Sequence, residues 1–89
     1  MAVTIVTPDE YTECSADISA LVAIQVSSAS ATPGAYVEFI AAAAKPADTD
    51  RGLMVRTGET VLENNIAVVG ASDKLWGKSS EHNVEVFVK

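Results

Sequence analysis

Apolar positions in this chain recur mostly at every second residue, in short runs separated by turn formers. In the closing run Asn83 to Lys89, Val84, Val86 and Val88 share one face while Glu85, Phe87 and Lys89 share the other. That period of two predicts a half-buried β-strand, and a strand at this end needs partners elsewhere. The longest such run has Ile18, Ala20, Val22, Ile24 and Val26 alternating with Ser19, Leu21, Ala23, Gln25 and Ser27. Its second face is also mostly uncharged, which predicts a central strand over the whole run. Ser28 to Gly34 is a turn cluster, with Pro33-Gly34 suited to a type II turn. Tyr36 to Ile40 is then expected as the hairpin partner, Val37 and Phe39 inward, Tyr36 and Glu38 outward.

The remaining segments are shorter. Val3 to Thr7 is a β-type run, and Thr7-Pro8-Asp9-Glu10 carries a helix-start pattern of N-cap, N1 proline and N3 glutamate. One short helical turn near residues 8–14, or a loop imitating it, is expected there. Ala41 to Ala44 favours helix by propensity but stops at Lys45-Pro46, so it reads as strand end and loop. Lys45 to Gly52 has the chemistry of a long surface connection. Strands are expected at Leu53 to Thr57, Thr60 to Leu62, Ile66 to Val69 and Lys74 to Ser79, with turns at Gly58-Glu59, Asn64-Asn65, Gly70 to Asp73 and Ser80 to Asn83. The spacing predicts one all-β domain over residues 1–89, a small antiparallel β-sandwich or β-barrel of about 6–8 short strands.

A chain of 89 residues buries only about 60–65% of the surface it exposes when unfolded. Small folds of this size often depend on disulfides, metals or subunit contacts. Cys14 is the only cysteine, so no intrachain disulfide forms, and one histidine without clustered thiols argues against structural zinc. Self-association is the remaining route to added stability. The sequence has no apolar run long enough to span a bilayer, and Met1 to Thr4 has no basic stretch before an apolar core. Synthesis in the cytoplasm without membrane contact is the expectation. The net charge is −6, with six basic residues scattered among twelve acids, which argues against a nucleic-acid partner.

Candidate chemistry is sparse. Asp48-x-Asp50 before Gly52 suggests a cation loop, but a later bidentate glutamate is missing and Arg51 competes, so a polar turn is the plainer reading. His82, flanked by Glu81 and Asn83, reads as an exposed turn residue, and Cys14 as a bystander thiol rather than its nucleophilic partner. Trp76 and Tyr36 suggest a glycan-stacking platform of a carbohydrate-binding module, against the plainer reading of a tryptophan packed under a loop or at a subunit contact. None of the common nucleotide, metalloprotease or serine-hydrolase motifs occurs. No catalytic, cofactor-binding or metal-ligating residue is assigned, and a non-enzymatic role is expected.

The order of segments is itself suggestive: Ile24-Gln25-Val26, a small polar turn, Tyr36-Val37-Glu38-Phe39, then Pro46 through Gly52, Leu53 through Glu59, Lys74 through Ser80 and Val84-Glu85-Val86. This pattern of turns and alternation, over most of residues 18 to 88, resembles small β-rich structural proteins of tailed-bacteriophage virions, such as capsid decoration and head accessory proteins. Thr7 to Asp17 matches nothing in that pattern. The resemblance implies a subunit that assembles in the host cytoplasm onto a major capsid or other virion protein, as a homo-oligomer, with a trimer favoured. Leu21, Ile40, Met54, Trp76 and Phe87 are the apolar residues expected at such protein contacts.

Overall fold

The computed structural model describes residues 2–27, 35–62 and 73–89. Among them are eight strands: β1 (Ala2–Val6), β2 (Thr12–Ser15), β3 (Ala23–Val26), β4 (Tyr36–Ala42), β5 (Leu53–Arg56), β6 (Thr60–Leu62), β7 (Lys74–Ser79) and β8 (Val84–Val88). They form two four-stranded sheets, ordered β1-β8-β3-β6 and β2-β7-β4-β5, and each recorded pairing is antiparallel. The fold is the all-β sandwich class that the alternation predicts.

One apolar cluster lies between the sheets. The first contributes Val6, Ile24, Val26, Val61, Val84, Val86 and Val88, the second Cys14, Val37, Phe39, Val55 and Leu75. Burying each such valine, leucine or phenylalanine is worth roughly 1.5–3 kcal/mol, so strand alternation is converted directly into a core. At Gly77 the packing between the sheets leaves no room for a side chain. A Cβ there would lie 3.1 Å from the Cys14 sulfur, 3.2 Å from a Phe39 ring carbon and 3.2 Å from a Val6 methyl of the opposite sheet.

The expected strand over Ile18 to Val26 is interrupted. Asp17 accepts hydrogen bonds at one carboxylate oxygen from the Ser19 amide (3.0 Å) and the Ser19 hydroxyl (2.6 Å). This cap turns Ile18–Ala20 into a 3₁₀ helix, closed by Leu21 N–H donating to the Ile18 carbonyl at 3.1 Å. Burial here follows a spacing of three: Ile18 and Leu21 enter the core, whereas Val22 is 48% exposed. Leu21 is therefore a core residue, not an exposed contact position. The strand proper starts only at Ala23.

Two further expectations change. β3 and β4 are not a hairpin: β3 lies between β8 and β6, and β4 between β7 and β5 in the other sheet. Each already has two ladder partners, so the chain crosses between sheets rather than turning back. Residues 8–14 contain no helical turn, since Pro8 to Glu10 bend and Thr12 opens β2. A single turn nucleates poorly, and pairing with β7 plus burial of Tyr11 and Cys14 outweighs the capping pattern. The turns expected at Ser28 to Gly34, at Asn64-Asn65 and at Gly70 to Ser72, and the strand expected at Ile66 to Val69, lie outside the described residues.

Candidate functional site

The outer face of the second sheet is built in rows by its register. One row runs Glu13, Trp76, Ile40, and the next Lys78, Glu38, Met54; Tyr36 pairs with Arg56 beyond them. Three of the five expected contact residues thus come together on one face. Met54 is 57% exposed, while Ile40 and Trp76 are half-buried. The Trp76 indole N–H donates to the Ala42 carbonyl at 2.9 Å, so the ring is tied to the neighbouring strand of its own sheet.

Glu38 points to this outer face, as the alternation requires, yet it is buried at 8% exposure. The reason is the segment after β4, which folds back over it. Glu38 Oε2 accepts from the Gly52 amide at 3.0 Å, and Oε1 meets Arg51 Nη2 at 3.0 Å. Gly52 runs so close to β4 that a Cβ would sit 2.3 Å from the Phe39 carbonyl oxygen. Tyr11 adds a second tether, its hydroxyl donating to the Asp50 carbonyl at 2.6 Å. Burial, with Glu38 and Asp50 nearby, pushes the Tyr11 phenol up to about 12. Arg51 itself remains 72% exposed. Beside this latch lies a polar cleft of about 320 Å³ lined by Tyr11, Tyr36, Glu38, Arg51, Lys78 and Ser80 among others.

Phe87 is on the other side of the molecule. It lies on the outer face of the first sheet, half-buried and in register with Val3. Val3 and its strand neighbour Ile5 are 54% and 56% exposed. Alternation does not single out this pair, because Val3, Thr4, Ile5 and Val6 leave both faces of β1 mostly apolar. Only the sheet shows that Val6 is the buried one. The burial of Glu38 is illegible for a different reason: its partners lie in a loop 13 and 14 residues along the chain, and that loop is itself tethered by Tyr11.

The reactive-looking residues do not converge. Cys14 is buried, and burial holds its thiol at about 12, so it stays protonated rather than thiolate. His82 is exposed, with Nε2 at 3.9 Å from Glu81. In the Asp48-x-Asp50 turn, Asp50 Oδ2 accepts from the Ala47 amide at 3.0 Å and Arg51 turns to Glu38, so the loop ties itself down. Among the described residues, no three His, Cys, Asp or Glu side chains cluster as a metal site would require. Tyr36 and Trp76 share a sheet face but are separated by the Lys78 and Glu38 row, so they do not form one flat platform. Comparison with protein families, curated sequences and solved structures found no match for this chain.

Proposed function

We propose that this chain is a non-enzymatic virion structural protein, a capsid decoration or head accessory subunit. It docks on a phage major capsid protein or another virion protein after assembly in the host cytoplasm. The observation that supports this reading is the outer face of the second sheet, where Ile40, Met54 and Trp76 stand together around the fixed loop. An apolar group rimmed by charge, here Glu13, Lys78 and Arg56, is the anatomy of a protein contact. The rival reading, a carbohydrate-binding module, is served less well: the indole N–H is already committed and a row of Lys78 and Glu38 lies between the two rings.

The test is sedimentation of the purified chain with expanded heads of a tailed phage whose genome encodes it. Native chain is expected to travel with the heads, and Met54→Asp to lose most of that binding while its far-UV circular dichroism is unchanged. Failure of the native chain to sediment with the heads, or undiminished binding by the variant, would overturn the docking face.

A further inference from the structure

Four strands end the two sheets: β1 and β6 in the first, β2 and β5 in the second. An edge strand presents unpaired backbone donors and acceptors, and monomeric proteins guard such edges with charge, brevity, proline or a bulge. Three of these edges are guarded. β2 carries exposed Glu13 and a register shift between Glu13 and Ser15; β5 ends in exposed Arg56; β6 has three residues. β1 has no such device. It runs five residues without charge, proline or glycine, and pairs with β8 in unbroken register. No strand lies on its other side among the described residues.

We propose that β1 joins two copies of this chain, the strands pairing antiparallel about a two-fold axis at Thr4 so that two four-stranded sheets become one of eight. Val3 of each copy then faces Ile5 of the other, and threonine faces threonine at the centre. β-branched and Thr–Thr pairs directly opposite one another are favourable cross-strand pairs. Register within the sheet extends the contact. Phe87 lies beside Val3, so a row reads Phe87, Val3, then Ile5 of the second copy, and the two-fold axis repeats it.

A second copy is the occupant because this edge is neutral in a chain of net charge −6. Two such chains repel over most of their surface, and here they meet without placing like charges opposite each other. The nearest acid on the neighbouring strand is Glu85, in register with Ile5 and one strand back from the junction. The apolar, Thr, apolar order about Thr4 is also its own complement when reversed, as an isologous contact requires. An antiparallel pairing closes on itself, so its product is a dimer and not the trimer that the virion resemblance favours.

Analytical ultracentrifugation over a dilution series tests this, independently of shell docking, which uses the outer face of the other sheet. The native chain is expected to approach twice its 9.3 kDa mass. V3K/I5K sets lysine against lysine and should raise the dissociation constant at least about tenfold, with the far-UV circular dichroism of the folded chain unchanged. V3E/I5K sets opposite charges across the same junction and should restore the dimer. A native chain that is monomeric throughout, an oligomer that V3K/I5K leaves intact, or V3E/I5K behaving like V3K/I5K would overturn the proposal.

Discussion

Replacing Glu38 tests whether the loop over the second sheet is held by a hydrogen bond or by a salt bridge. Its carboxylate makes two contacts of equal length and unequal worth. The Arg51 partner is 72% exposed, so that ion pair is screened and contributes about 0–1 kcal/mol. The Gly52 amide is different. It lies against β4, where a replacement partner is sterically restricted, and an amide left unsatisfied there costs about 1–3 kcal/mol. Glu38→Gln keeps an acceptor oxygen and loses the charge, so it should cost about 1 kcal/mol or less. Glu38→Ala should cost about 2–3 kcal/mol, and Arg51→Ala no more than about 1 kcal/mol. Urea unfolding of the three variants gives the ranking, with the slope checked for constancy. Arg51→Ala matching Glu38→Ala, or Glu38→Ala proving neutral, would refute this assignment.

Two further outcomes follow from the core. Gly77→Ala adds a methyl with contacts of 3.1 to 3.2 Å on three sides, and overpacking of this kind should cost about 1–3 kcal/mol, read as a lower melting temperature. Tyr11 and Cys14 both have folded-state values near 12, above ordinary values of 10.0 and 9.0. The unfolded chain therefore loses these protons first as pH rises. Their contribution is fully present below pH 9 and is lost progressively between about 9 and 12. Urea unfolding across that range should show the decline, and Tyr11→Phe with Cys14→Ala should flatten it. Phenolate absorbance of a Tyr36→Phe variant, which leaves Tyr11 as the only tyrosine, should titrate near 12.

Where one face of a strand is apolar and the other is not, the chain could be read directly. Val84, Val86 and Val88 alternate with Glu85 and Lys89, and they are buried as that alternation requires. The same reasoning put Ile40 and Met54 on outward positions. It failed at Ile18 to Leu21, where apolar residues occupy both phases and a local Asp17 to Ser19 cap chose a spacing of three. That cap moved Leu21 inward. It also failed for the pairing of β3 and β4, because strand order depends on partners distant in sequence and not on the nearest turn. Glu38 and the unguarded β1 edge belong to the same class: both are defined by what packs beside them.

Amide hydrogen exchange on the native chain at two concentrations probes the proposed β1 contact without any substitution. Raising the concentration should slow exchange within Ala2–Val6, at those amides not already donating to β8, and leave β2, β5 and β6 unchanged. Exchange in β1 that is indifferent to concentration, in a chain that nonetheless self-associates, would place the contact elsewhere.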